Sequence, residues 1–240
     1  MSFGAPHRHF RVTDSTNTRA RELAASGAPH GTVVTADEQT EGRGRQGRSW
    51  IAPAGRTLLY SAIVREIADH SLLQLAAALA VCDTAEQLAP VECQIKWPND
   101  VWIDGRKVAG ILIEARPQDG WAVIGVGLNL TIEPEEFPPE LRDPATSLAI
   151  ANRSAVPFSR YADTRNSGSG VLSERLAEWI DADPDAILAA FRARDALNGR
   201  EITWNAGSGI AAGVDGGGNL IVVAPDDSRT VLAAGEVHLL

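Results

Sequence analysis

The chain has 240 residues, 44% of them hydrophobic and 22% charged, and a formal net charge of −9. That size suits one large domain, or a catalytic domain with a small appendage. The acidic balance argues against a general nucleic-acid binder, so any anionic ligand has to be held by a local basic cluster.

The first region reads as mixed α/β. A short strand is expected at 10–13. Asp14, Ser15 and Thr16 can each cap a helix that runs to about Ser26, where Gly27 and Pro29 stop it. A strand at 32–36 leads into a Gly/Arg loop at 40–49. A strand at 58–64 and an Ala/Leu-rich helix at 70–88 follow. Strands are then expected at 92–96, 101–103, 107–115 and 121–130, with Asp104-Gly105 a two-residue hairpin signal. Residues 131–144 are Pro/Glu-rich and read as a surface loop. Residues 166–170 (Asn-Ser-Gly-Ser-Gly) read as a flexible stretch before a helix at 171–180, and a further helix runs from Pro184 to Asp195. From Gly199 the pattern changes to short strands broken at 205–207, 215–218 and 226–228. That is a small β unit, which divides the chain into domains 1–196 and 197–240.

No apolar signal core opens the chain, and no run approaches the roughly eighteen apolar residues of a membrane span. Cys82 and Cys93 form no close metal-ligand pair and are too few for a disulfide framework, so reduced, buried thiols in a cytoplasmic protein are expected. The five histidines are scattered, without the spacing of a zinc site held by protein alone.

Two lysines stand against twenty arginines. Lys96 and Lys107 lie eleven positions apart in the dense segment 96–114. Either the chain is biased toward Arg and two lysines survive close together, or these positions need a compact ammonium that sits on one carboxylate or phosphate oxygen. The hairpin at Asp104-Gly105 folds the second lysine back beside the segment following the first, which fits a shared site.

Between Gln39 and Trp50, Arg43, Arg45 and Arg48 alternate with Gly42, Gly44 and Gly47. Glycines let backbone amides approach a ligand and arginines supply forked donors. Alone, the run is either a solvated basic loop or an anion loop, and it is neither a Walker A sequence nor a dinucleotide fingerprint. Asp14-Ser15-Thr16-Asn17 is either a capping cluster or a set of hydroxyl and amide groups for a polar ligand head. In Lys96-Trp97-Pro98-Asn99-Asp100 the proline demands a strand edge, bulge or end. Asn99 and Asp100 then fall at a strand–loop junction, where functional side chains collect. Asn129 ends an apolar strand, as turn chemistry or as a buried amide reading a base or ribose.

Taken together and in this order, these segments closely resemble the biotin–protein ligase (biotin–[acetyl-CoA-carboxylase] ligase) family. The matching runs are 14–17, Gln39 with 42–48 and Trp50, 96–100, 105–114 and 125–129, which span most of residues 8–150. The resemblance implies an α+β (mixed α/β) fold. It has a catalytic domain with a mixed central sheet flanked by helices, related to lipoate ligases, and then a small SH3-like β domain. Some relatives carry an N-terminal DNA-binding domain. With the first motif starting at residue 14, the resemblance points to an enzyme without a repressor role, with no DNA and no membrane partner.

The reaction it implies has two steps. Biotin attacks the α-phosphate of ATP, with Mg²⁺ on the phosphates, to give biotinyl-5′-AMP. A lysine on the biotin carboxyl carrier domain of an acyl-CoA carboxylase then takes the biotinyl group. By resemblance, Lys107 is the catalytic lysine, with Arg45 and Asp100 as further catalytic residues. Ser15, Thr16, Asn17 and Gln39 meet the biotin head. Arg43, Gly44, Arg45, Lys107 and Gly110 complete the biotin site. Arg48, Trp50, Lys96, Asn99 and Asn129 hold ATP. Mg²⁺ comes with ATP, and no metal is held by protein alone. Gln46 departs from an arginine common in some relatives. Monomer and homodimer both remain open. The rival readings are a lipoate–protein ligase and a non-catalytic biotin sensor.

Overall fold

The computed structural model describes residues 2–65, 71–139, 141, 143–152 and 164–240, with only the backbone at 164–166. Seven strands build the main sheet: β1 (His7–Thr13), β2 (Val33–Gln39), β3 (Thr57–Arg65), β4 (Gln94–Lys96), β5 (Asp100–Ile103), β6 (Arg106–Arg116) and β7 (Trp121–Asn129). Their order is β1-β2-β3-β7-β6-β5-β4. The β1–β2 pair is parallel and the other neighbours are antiparallel, so the sheet is mixed.

Alternation along the central strands sorts residues to the two faces. From β3, Leu58, Tyr60, Ala62 and Val64 join a large core beneath α2 (Leu73–Leu88). Ile63 joins a smaller cluster beneath α1 (Thr16–Ala25), with Val123 and Trp121 of β7. The same face of β7 continues as Gly125, Gly127 and Asn129. There α1 gives out, and the sheet is left open to form the floor of a cavity. Helix α2 is apolar almost all round because it is buried on both sides. The sheet lies beneath it, and α4 (Thr164–Ile180) and α5 (Pro184–Arg194) pack on its outer face. The one-turn helix α3 (Leu148–Ala151) starts from Ser147, whose side chain accepts from the Ile150 amide.

Most expected elements are present with shifted ends. Asp104 (φ 50°) and Gly105 (φ 73°) form the hairpin turn between β5 and β6, both in the left-handed region that such a turn requires. The helix expected to start at residue 70 begins at Leu73, and residues 66–70 lie outside the described part. The loop 131–144 contains a 3-10 turn at Pro134–Glu136, and positions 140 and 142 are likewise outside.

The stretch 166–170 differs from expectation, because it belongs to α4 rather than preceding it. A Cβ on Gly168 would meet Leu88 at 3.4 Å and Leu58 at 3.7 Å, so small residues let this turn lie close on the core. The Ser173 hydroxyl, bonded to Ser169 O, also meets Tyr60 Oη at 2.9 Å. Packing there overrides low helix propensity.

The last five strands, β8 (Glu201–Trp204), β9 (Gly207–Val214), β10 (Leu220–Val223), β11 (Arg229–Leu232) and β12 (His238–Leu239), form a separate antiparallel sheet. Its inward residues, among them Ile202, Val214, Leu220 and Val222, belong to the same core as α2. The Trp97 indole donates to Gly218 O at 3.0 Å, which ties the two sheets beside the arginine loop. Cys82 and Cys93 are free and buried, as expected.

Candidate active site

A β-bulge aims the second lysine. Val101 pairs with Ala109, but Trp102 pairs with Lys107, so Val108 is one extra residue on β6. Strict alternation would group Lys107 with Ala109 and Ile111, which belong to the core under α2. The bulge instead puts Lys107 in phase with Gly110 and Leu112, on the wall of a cavity of about 500 Å³. Its Nζ lies 2.7 Å from Asp100 Oδ1 and 5.7 Å from the centre of the Trp50 ring. Its backbone is clamped by the descending loop: Lys107 N donates to Pro144 O, and Thr146 N donates to Lys107 O.

The arginine loop closes over one side of this cavity. Arg43 and Ser49 bridge, Arg45–Gly47 is a 3-10 turn, and Gln46 (φ 55°) and Gly47 (φ 75°) turn the chain. Trp50, which follows, lies against the sheet. Gly110 and Gly127 pair across β6 and β7, and a Cβ at either would meet the indole ring at 2.9 or 2.5 Å. The Trp50 indole N–H is buried and has no partner among the described residues. Gly42 is equally constrained, because a Cβ there would strike Trp50 O.

At the other end, hydroxyls and amides gather at the start of α1. Ser15 is the N-cap but makes no side-chain bond to the helix. Gln39 Oε1 serves that end instead, accepting from Thr16 N at 2.7 Å and Thr16 Oγ1 at 3.0 Å. The single Ser61 hydroxyl proton faces two acceptors, Asn17 Oδ1 at 2.6 Å and Thr16 Oγ1 at 2.8 Å. Asn17 itself fills the space above Gly125, where a Cβ would come within 2.0 Å of its Oδ1.

The cations are each matched. Arg45 donates to Asn99 Oδ1 at 2.9 Å, and burial pulls its guanidinium below the ordinary value, with Asp100 opposing and Arg48 adding to that shift. Arg43 pairs with Glu114, and Arg48 with Glu236 from the connection between β11 and β12. Lys96 is buried, 3.3 Å from Asp143 Oδ1 and 4.9 Å from the Trp102 ring centre.

Ser15, Thr16, Asn17, Gln39, Arg43 and Gly44 therefore share one cavity wall with Arg45, Arg48, Trp50 and Asn99, and with Lys107, Gly110 and Asn129. Asp100 reaches it through Lys107. Lys96 does not line it, so the two lysines stand near each other in different surroundings. Asn129 lines it while its amide donates to Thr146 O at 3.0 Å. Sequence reasoning missed Ser61, Asp143 and Glu236, which no local motif marks, and the roles of Glu114, Gly125 and Gly127, which lie within matched runs but were given none. Those two glycines had a signal: spaced by two on a strand, they fall on one face. Among the described residues no group of three or more His, Cys, Asp or Glu side chains could hold a metal ion. No helix among the described residues is long and apolar enough to cross a membrane.

Residues 9–130, just over half the chain, match the model of the biotin/lipoate A/B protein ligase family. The chain belongs to this family. Among other family members, it is 38% identical to the biotin–[acetyl-CoA-carboxylase] ligase of Mycobacterium tuberculosis, over 95% of this chain and 86% of that one. It is 42% identical to the bifunctional ligase/repressor BirA of Bacillus subtilis over 58% of this chain, and spans about half the length of that relative (45%). The fold matches that of the Aquifex aeolicus biotin protein ligase, solved with biotin and ATP, with a TM-score of 0.79 at 24% identity over 99% of both chains. The family resemblance and the mixed sheet with a C-terminal β unit are thus as the sequence leads one to expect.

Proposed function

We propose that this protein is a biotin–protein ligase. It activates biotin with ATP to biotinyl-5′-AMP and passes the biotinyl group to a lysine of a biotin carboxyl carrier domain. The observation that carries the reading is the single cavity with two chemically distinct ends. One end offers Ser15, Thr16 and Gln39, donors and acceptors suited to a ureido head. The other offers Lys107, Arg45 and Arg48, beside an indole resting on two glycines.

The chemistry requires two anions to meet. Two like charges at about 4 Å repel by roughly 4 kcal/mol at an effective dielectric near 20. Lys107 offsets this by facing both the carboxylate and the α-phosphate, and Arg45 lies beside it. A carboxylate oxygen bonds to the α-phosphorus and pyrophosphate leaves. The carrier amine then bonds to the acyl carbon and AMP leaves, with Asp100 placed to take the amine proton. Trp50 supplies a flat face for the adenine. The donors at this end are mainly cationic, which suits a magnesium ion carried on the nucleotide's phosphates. The arginine loop excludes water, since a free acyl-adenylate hydrolyses.

The test is incubation with biotin, Mg-ATP and a carrier domain, followed by the intact mass of the carrier. A gain of one biotinyl group is expected. Pyrophosphate release with lipoate but not biotin would move the protein to the lipoate side of the family, and binding without turnover would make it a sensor. A cytoplasmic location, a carrier domain as the protein substrate with no DNA or membrane partner, and the division at 196/197 belong to the same reading.

A further inference from the structure

Three elements meet on one carboxylate, that of the last residue of the run 105–114, to which the resemblance assigns no role. Glu114 lies on β6, and its side chain is about one-fifth exposed. Asn17 Nδ2 donates to its Oε2 at 3.0 Å and Arg21 to its Oε1 at 3.1 Å. Arg43 donates to Oε1 at 3.0 Å and to Oε2 at 3.4 Å. Asn17 and Arg21 come from α1, whereas Arg43 is the root of the arginine loop.

Asn17 has no freedom to turn away. Its Oδ1 accepts from Ser61, its Nδ2 also donates to Leu112 O at 3.3 Å, and its amide is pressed against Gly125. A flipped amide would turn its oxygen toward two acceptors, the Glu114 carboxylate and Leu112 O, at a buried site, whereas the Ser61 hydroxyl could accept from the NH₂ and donate to Thr16 instead; Glu114 and Leu112 O therefore hold the orientation. The orientation of Asn17 and the anchoring of Arg43 are therefore set by the same group. Glu114 is absent from the wall of the ligand cavity and lines instead a second cavity, of about 410 Å³, on the outer side of the loop.

We propose that Glu114 is a positioning residue, which fixes the root of the arginine loop through Arg43 and couples that anchor to the head pocket through Asn17. With the root held, only the segment beyond it has to open and close. The kinetic consequence rests on the ligase reading above: a loop loose at its root admits water to the acyl-adenylate before the carrier arrives.

Wild type, E114Q, R43A and the double variant separate this from a plain structural brace. Gln keeps the shape of Glu114 but turns one acceptor into a donor facing Asn17 or Arg43. The first readout needs no ligand: the rate of trypsin cleavage after Arg45 and Arg48. The second is hydrolysis of biotinyl-5′-AMP per biotinyl group transferred. E114Q is expected to raise both by about tenfold, the loss of one hydrogen bond to a charged group. KM for ATP and the circular dichroism spectrum should stay as in wild type. Arg43 lines the ligand cavity itself, so R43A is read by cleavage alone: cleavage after Arg45 and Arg48 should rise by the same factor, and in the double variant no more than in either single one. Cleavage in E114Q at the wild-type rate, or effects that multiply in the double variant, would overturn the proposal. A wild type inactive with biotin would sink the ligase reading, while the cleavage arm still decides on the anchor.

Discussion

Gly110 on β6 and Gly127 on β7 face each other across the sheet, and the Trp50 ring rests on both. A Cβ at Gly127 would come within 2.5 Å of the ring, at a place where strand and sheet backbone cannot yield. Gly127→Ala should therefore lift Trp50 off its seat, with an overpacking penalty of about 1–3 kcal/mol. The penalty falls on a loop residue, so the melting temperature should change little. KM for ATP should rise by about tenfold or more and biotin binding should hold. Trp50 fluorescence and ATP titration check this. A Gly127→Ala protein with wild-type KM for ATP would remove the adenine-seat role from Trp50.

How much of this was legible beforehand follows from what each feature depends on. Short apolar runs marked β3 and β7, and Asp104-Gly105 marked its hairpin, because both are local. The arginine loop showed in its glycines. The bulge at Val108 left no mark, since it depends on the pairing of β6 with β5, yet it decides which face Lys107 meets. Lys96 and Lys107 are expected from the sequence to share a site because the hairpin at Asp104-Gly105 folds one back beside the segment that follows the other. Their surroundings differ because Lys96 on β4 faces Asp143 and Trp102. Glu114 acts on a loop arginine 71 positions away, and Glu236 reaches Arg48 from the connection between β11 and β12, so spacing says nothing of them. The start of α4 was misread because Gly168 and Ser169 are poor helix formers in isolation and good close-packing residues on α2.

Asp195 makes stability pH-dependent. It caps the end of α5, its Oδ1 accepts from Leu197 N at 2.8 Å, and its Oδ2 is buried without a partner among the described residues. Burial raises its carboxyl above the usual range, with the Leu197 and Asn198 amides pulling the other way. A raised value in the folded state means the native protein holds the proton more tightly than the unfolded chain. Its stabilising effect is complete below the unfolded carboxylate value of about 3.9 and is lost as pH rises through the raised value. Asp195→Asn removes that loss. The variant should melt about 2 °C above wild type at pH 7.5 and show no gain at pH 4. Equal shifts at both pH values would rule out titration of Asp195 as the cause.

The second sheet should not be separable in stability, even though it is separate in architecture. Leu220 and Val222 share a core with α2, and Gly218 lies so close to Leu72 and Leu75 that a Cβ there would meet them at 3.1 and 3.2 Å. Calorimetry of the full chain should show one transition. A protein ending at residue 196 exposes that face and leaves the Trp97 indole without its acceptor, so it should lack a cooperative melt. Two resolved transitions in the full chain would argue for independent domains instead.

Lys107 carries the sharpest prediction. It is placed by a bulge, paired with Asp100 at 2.7 Å, and set at the cationic end of the cavity. Lys107→Ala should cut biotin-dependent pyrophosphate release by about 10²- to 10³-fold, the scale of losing one fixed charge that meets the reacting oxygens. Lys107→Arg should not restore it, because a planar fork cannot take the place of a point charge beside Trp50 and Gly110. Circular dichroism should be unchanged in both. The two half-reactions then separate the role. With biotinyl-5′-AMP supplied, the variant has no carboxylate to join to a phosphate, so transfer to the carrier should recover to within about tenfold of wild type. Transfer as badly impaired as activation would place Lys107 in the second step as well, and unimpaired activation would remove it from the chemistry altogether.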